Sequence, residues 1–290
     1  MPLLILVMHI LRLKNWDVIR SNLHKNIMQI SVTQLSKTFS RKKQQTVAYK
    51  NLNFQIRQGE FFCILGPSGC GKTSLLRTIA GLETATSGEL SIRSTDSLKQ
   101  GTVGMVFQEH GLFPWMTTRN NIRFLLENNV QMINRDLDAI VNEFIDLVGL
   151  KAFADYFPHQ LSGGMRQRIS IARSFANEPD ILLMDEPFVF LDYQTRCALH
   201  GLLLDIWQRK KKTLVFVTHD IEEAVFLADR VLVMSAHPGT VKNIIEIKLP
   251  RPREFLALRK LPAYQNQVSE LMALLREECE PFRHKDKQSF

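Results

Sequence analysis

The sequence predicts an α/β protein built on a mainly parallel sheet. Three observations carry that reading. A nearly all-apolar run, Glu60-Phe61-Phe62-Cys63-Ile64-Leu65, leads into a glycine-rich loop and then a helical stretch from Lys72 to about Ala80. Downstream, apolar strands at Ile181–Met184, Leu214–Val217 and Val231–Met234 alternate with helical stretches at 193–210 and 220–228. The strand runs lack a polar face, as expected of a sheet covered by helices on both sides.

The elements follow in order. Residues 1–27 form a leader with an apolar start, Leu3–Met8, followed by Lys14, Arg20 and Lys25. Two readings stay open for it: an extension upstream of Met28, frayed or outside the native product, or a short surface helix. Its apolar run is far below the ~20 residues that cross a bilayer, and no basic segment precedes it as in a secretory signal. Gln29–Leu35 and Asn53–Arg57 alternate like half-buried strands and form an antiparallel β portion. Gln58-Gly59 marks a turn. Thr102–Phe107 reads as another buried strand. Residues from about 109 to 176 read mainly as helix, with Ile140, Phe144, Leu147 and Val148 on one face, and make a helical subdomain inserted into the sheet domain of residues 28–248. Leu249-Pro250-Arg251-Pro252-Arg253 suits neither regular helix nor central strand. It opens an extension, 249–290, in which Tyr264, Val268, Leu271, Met272 and Leu275 mark an amphipathic helix before a polar tail.

Composition narrows the class without choosing a function. The 290 residues suffice for one large domain or two small ones. A hydrophobic share of 45% with 23% charged residues excludes wholesale disorder. The net charge of +8 is compatible with nucleotides, nucleic acid or an anionic membrane. Cys63, Cys70, Cys197 and Cys279 form no CxxC pair and have no His cluster at metal-ligand spacing, which favours free thiols in a reducing compartment. No apolar run spans a bilayer, so any membrane contact is made from the side or through a partner.

Chemistry concentrates in three strings. Gly66-Pro67-Ser68-Gly69-Cys70-Gly71-Lys72-Thr73 fits G-x-x-x-x-G-K-[ST] between a buried strand and a helix, the context of a phosphate loop. Glycines let backbone N–H groups converge on phosphate, and the helix N-terminus adds partial positive charge. Lys72 is expected to reach the β- and γ-phosphates of ATP and Thr73 to ligate Mg²⁺. Ile181-Leu182-Leu183-Met184-Asp185-Glu186 ends a buried strand in two carboxylates, at the edge where α/β sheets bind ligands. Asp185 suits the Mg²⁺ shell, and Glu186 is placed to polarise an attacking water. Leu161-Ser162-Gly163-Gly164-Met165-Arg166-Gln167-Arg168 is a second anion cradle: Ser162 caps a helix, and Gly163 and Gly164 expose backbone N–H groups.

Together the three strings resemble the ABC-type ATPases, with motifs in family order over residues 28 to 238. The resemblance implies a P-loop NTPase core and an inserted helical subdomain carrying the signature Ser162–Gly164. It implies that Phe39 stacks on adenine (core packing being the alternative), that Gln108 contacts Mg²⁺ and the attacking water, that Asp192 links two nucleotide sites, and that His219 is a switch on the γ-phosphate. It further implies that two copies sandwich two ATP molecules. Two departures stand out: Met165, where many members carry Gln, and Val189-Phe190, where a small pair is commoner, which puts the Asp192 contact in question.

The stretch Glu109-His110-Gly111-Leu112-Phe113-Pro114-Trp115-Met116-Thr117, with Ser235–Gly239 and Leu249–Arg253, looks like the branch serving nitrate, sulfonate and taurine importers. Trp115 is either an exposed anchor or core. The implied partners are a membrane permease pair and, indirectly, an extracytoplasmic solute-binding protein, with no nucleic acid; the implied location is the cytoplasmic side of the membrane. A soluble ABC protein of translation or DNA repair, and a nucleotide-gated assembly protein without turnover, are the rival readings. The first needs two ATPase units or a long coiled coil, and intact Glu186 and His219 argue against the second. The solute is not written in this chain.

Overall fold

The computed structural model describes residues 27–41, 44–94, 101–109 and 111–283. In chain order its main elements are β1 (Met28–Arg41), β2 (Gln44–Arg57), β3 (Phe61–Leu65), α1 (Lys72–Ile79), β4 (Ser87–Ile92), β5 (Val103–Val106), α2 (Thr118–Glu127), α3 (Leu137–Leu147), α4 (Gly163–Ala176), β6 (Ile181–Asp185), α5 (Tyr193–Lys210), β7 (Thr213–Thr218), α6 (Ile221–Leu227), β8 (Arg230–Met234), β9 (Val241–Glu246), α7 (Phe255–Leu258) and α8 (Pro262–Arg283). Residues 1–26, the leader apart from Ile27, lie outside this description.

A six-stranded sheet runs in the order β5-β6-β7-β3-β8-β9, parallel except for β9, which pairs antiparallel with β8. A three-stranded antiparallel sheet, β2-β1-β4, lies beside it. The pleat of β3 explains its unbroken apolar sequence. Phe61, Cys63 and Leu65 belong to one core with α2–α6, whereas Phe62 and Ile64 belong to a second core with α1 and the antiparallel sheet. The same division holds for β6, where Leu182 and Met184 face one way and Ile181 and Leu183 the other.

The sequence reading needs four amendments. The first two strands are longer than Gln29–Leu35 and Asn53–Arg57, since their solvent-facing ends keep pairing with each other. β4 and β9 carry no alternation strong enough to announce them; each is an edge strand with one neighbour. The strand expected over Thr102–Phe107 covers only Val103–Val106, and Phe107 is exposed, because β5 also lies at the sheet edge. Residues 111–117 are not helical, and α2 starts at Thr118, capped by the Thr117 hydroxyl, which accepts from Asn120 N.

The segment Leu249–Arg253 is a fastening. Arg253 Nη1 donates to the carbonyls of Val225, Phe226 and Ala228 at 3.2, 2.9 and 2.8 Å, where α6 ends. A cation there meets the helix's free carbonyls and its negative pole. Burial pulls its pKa down to about 9. Arg251 pairs with Asp229 at 2.9 Å and lies over the Trp207 ring, 4.4 Å from its centre. The extension beyond it packs Leu258, Tyr264 and Leu271 into the larger core.

Candidate functional site

Parallel pairing brings the predicted residues to one edge of the sheet. Leu65 is level with Thr218, and Asp185 with Val217. Gly66, Glu186 and His219 therefore leave adjacent strands side by side. β5 is next to β6, with Val106 level with Met184, so Gln108, exposed two residues past β5, joins the same edge.

The phosphate loop is braced from behind. Gly71 has φ +93, and a Cβ there would lie 2.6 Å from Ala48 O. A Cβ on Gly239 would lie 2.0 Å from Cys70 O. Gly239 N donates to Ala48 O at 3.0 Å, closing the brace. Thus Ser235–Gly239, a branch marker in the sequence, supports the loop from beneath, and the Pro238-Gly239 pair was its only signal. Pro67, Ser68 and Gly69 form the outward part of the loop. Cys70 points inward, where burial raises its thiol pKa despite the opposing Lys72 charge.

The charged groups interlock. Lys72 is 5% exposed, and its Nζ donates to Gly66 O and Pro67 O, both at 2.9 Å, with Glu186 Oε1 3.8 Å away. A cation so held by its own loop carbonyls has a geometry suited to an anion in the loop. Thr73 Oγ1 donates to Asp185 Oδ1 at 3.0 Å. Burial pushes the Asp185 carboxyl up; the Thr73 hydrogen bond opposes this and the Glu186 charge adds to it. A hydroxyl and a buried carboxylate disfavoured in its own charge form an oxygen donor set that fits Mg²⁺.

Glu186 has φ +42, a left-handed conformation costly for a residue with a Cβ. Its N–H donates to Val217 O at 3.0 Å, and its Oε2 meets His219 Nδ1 at 3.1 Å. A cavity of about 40 Å³ opens here, lined by Glu186, Arg196, His219, Asp220 and Glu223 among others. Arg196, Asp220 and Glu223 were not singled out from the sequence; no local pattern marks them.

Most of the remaining predicted residues lie on the surface. Phe39 is half-exposed with Lys37 Nζ 4.7 Å from its ring centre. Ser162 is exposed, and its Oγ accepts from Met165 N at 3.3 Å at the start of α4. Gly163 is half-buried and Gly164 buried, in the first turn of α4. Asp192 is exposed and caps α5 through Thr195 N at 2.9 Å; the hydrogen bonds from Thr195 hold its carboxyl below the usual range. Phe190 is 72% exposed beside it. Trp115 is also exposed, while Phe113 is half-buried, 4.7 Å ring to ring from Phe124.

Residues 49–189 match the family described as ABC transporter. The chain is 44% identical over 255 residues to the nitrate import ATP-binding protein NrtD of Synechocystis sp., covering 86% of this chain and 96% of that protein. It belongs to the ABC transporter ATP-binding family. This ABC cassette is also 43% identical over 229 residues to the aliphatic sulfonates import ATP-binding protein SsuB of Bacillus cereus, covering 78% of this chain and 89% of that one. Among solved structures it resembles the dimeric post-hydrolysis state of the ATP-binding cassette MJ0796 bound to ADP and Pi, with a TM-score of 0.66 and 32% identity over 76% of this chain and 100% of that one. Its fold is accordingly that of the P-loop ATPase cassettes, and the cassette is an ATP-binding, ATP-hydrolysing subunit. Among the described residues no helix is long and apolar enough to cross a membrane.

Proposed function

We propose that this cassette energises import of a small solute of the nitrate, sulfonate or taurine class, as a pair of copies held against a membrane permease on its cytoplasmic side. The observation that carries the reading is the cluster Lys72, Thr73, Asp185, Glu186 and His219 at one sheet edge, where Thr73 meets Asp185 and Glu186 meets both Lys72 and His219. Relatives named for nitrate and sulfonate import support the solute class. An extracytoplasmic solute-binding protein completes the proposed assembly.

Lys72 neutralises charge at the β- and γ-phosphates and the loop N–H groups hold them in place. Thr73 and Asp185, with Gln108 as a further oxygen donor, would hold Mg²⁺, which would supply further neutralisation of the phosphate oxygens. Glu186 orients a water towards the γ-phosphorus and accepts its proton as the new P–O bond forms and the bond to the β-phosphate oxygen breaks. His219 fixes the Glu186 carboxylate and faces the γ-phosphate. Phe39 stacks on adenine. The Ser162–Gly164 cradle and Asp192 serve the nucleotide of the second copy, a reading supported by the exposure of Ser162 and Asp192.

The test is Glu186→Gln. It is expected to bind ATP, lose turnover and run as a stable dimer in gel filtration with ATP. Parental hydrolysis after reconstitution with the permease would refute the role of Glu186. ATP-dependent uptake of labelled nitrate or taurine by the reconstituted complex tests the solute class, and uptake of neither would remove it.

A further inference from the structure

Beneath His219 lies a buried acid–histidine pair that the site chemistry does not use. His200 on α5 is 3% exposed and Glu223 on α6 is 6% exposed. His200 Nε2 meets Glu223 Oε1 at 2.9 Å. The other carboxylate oxygen, Oε2, accepts from Thr218 Oγ1 at 2.5 Å. The same Thr218 hydroxyl oxygen accepts from Asp220 N at 3.0 Å. Thr218 and Asp220 flank His219, so one carboxylate fixes the chain on both sides of that ring. Four residues earlier on the same face of α5, Arg196 reaches Asp220 Oδ2 at 3.3 Å, and Asp220 Oδ1 caps α6 through Glu222 N and Glu223 N.

Burying such a pair is costly unless every polar atom is used, and its retention points to specificity of geometry rather than net stability. Both Glu223 oxygens are used, whereas His200 Nδ1 is buried without a hydrogen-bond partner, so the pair is held at a cost. The His200 ring is wedged against Phe188 and Phe226, with ring centres 5.1 and 5.9 Å away, which leaves the imidazole little freedom to tilt.

We propose that Glu223, oriented by His200, is the positioning residue for His219: it sets the backbone of residues 218–220 and through it the 3.1 Å contact of His219 Nδ1 with Glu186 Oε2. This rests on the proposed roles of Glu186 and His219. A reacting group displaced by about 1 Å loses on the order of 10²-fold in rate, so loosening the clamp acts on turnover and leaves nucleotide binding by the phosphate loop alone.

The experiment compares Thr218→Val, Glu223→Leu, Glu223→Gln and His219→Ala in the full chain, measuring kcat, directly titrated ATP affinity and Tm. Thr218→Val is nearly isosteric and keeps the fold even if Glu223→Leu, which strands His200, does not. Thr218→Val is expected to lower kcat about tenfold with ATP affinity within about twofold. Where Glu223→Leu folds, it should match, and the double variant should be no worse than either single one. Glu223→Gln, whose amide still offers an acceptor to Thr218, should recover most of the loss. Parental kcat in Thr218→Val, or losses of kcat and affinity in parallel, overturns the proposal while a dead His219→Ala leaves the role of His219 standing. Parental turnover in His219→Ala overturns both.

Discussion

Thr73 and Asp185, 112 positions apart in the chain, share a hydrogen bond of 3.0 Å across the sheet edge. The acceptor is a carboxylate that burial disfavours, its pKa raised above the ordinary 3.8. An acid with a raised folded-state pKa weakens the fold when ionised; the cost is full above the folded pKa and vanishes as pH falls below the unfolded value. Asp185→Asn keeps an oxygen for Thr73 and discards the charge. Without nucleotide or Mg²⁺ it is expected to raise Tm at pH 7, with the gain shrinking as pH is lowered towards 3.8, and to abolish hydrolysis. Thermal scans across pH check this; a lower Tm than the parent at pH 7 would show that the ionised carboxylate is not a burden.

Gly164 illustrates a second coupling of stability and function. A Cβ there would lie 2.5 Å from Thr195 Cγ2, on the helix capped by Asp192. Gly164→Ala is expected to destabilise the chain by about 1–3 kcal/mol through overpacking. Thr195→Ser removes the offending methyl while leaving the backbone N–H that Asp192 accepts from, and should restore most of that loss in the double variant. Denaturant melts of the two single variants and the pair measure it. Equal stability of Gly164→Ala and the double variant would mean that the clash is relieved elsewhere.

The three cysteines whose side chains are described are free thiols with unequal access: Cys63 and Cys70 are buried and Cys197 is half-buried. Burial raises the thiol pKa of Cys63 well above its usual range and that of Cys70 to a lesser degree. In a Cys279→Ser background, iodoacetamide at neutral pH should modify Cys197 first and leave Cys70 intact, although Cys70 sits in the phosphate loop. Peptide mass spectrometry reads the order, and early loss of Cys70 would contradict an inward-facing thiol.

Trp115 and Phe113 separate as probes of a permease contact. Phe113 packs on Phe124 and lies under Arg173, 5.7 Å from the ring centre, so truncating it disturbs the helical region. Trp115, 69% exposed, rests its ring on that of Phe113, 5.6 Å centre to centre, and has little other packing to lose. Trp115→Ala is expected to leave Tm and the hydrolysis of the isolated cassette unchanged while weakening permease association and uptake at least tenfold, as a lost anchor does. Uptake at the parental level would remove Trp115 from the contact.

Much of the site was legible because phosphate chemistry needs fixed residue types at fixed spacing: Gly66–Thr73 and Met184-Asp185-Glu186 announce themselves, and β3, β6 and β7 follow from runs that no half-exposed strand would tolerate. What escaped was the support. Glu223 and His200 sit 23 positions apart on two helices, and nothing in either neighbourhood distinguishes a buried Glu from a solvated one. The close approach of Gly239 to Cys70 crosses most of the chain and is set by tertiary packing alone. Edge strands β4 and β9 escaped for a related reason: with one neighbour each, they carry a mixed pattern that short-range periodicity does not resolve.

The pleat of β3 has a kinetic consequence. Neighbouring residues Phe62 and Cys63 belong to different cores, so neither layer can melt without withdrawing half the packing of this strand. Its amides should therefore exchange with deuterium only through global opening. The helices α2 and α3 draw on one core alone and should exchange through smaller openings. The chain would then work as a rigid block bearing the phosphate loop, with a softer attachment that can swing without loosening Lys72, the proposed phosphate anchor.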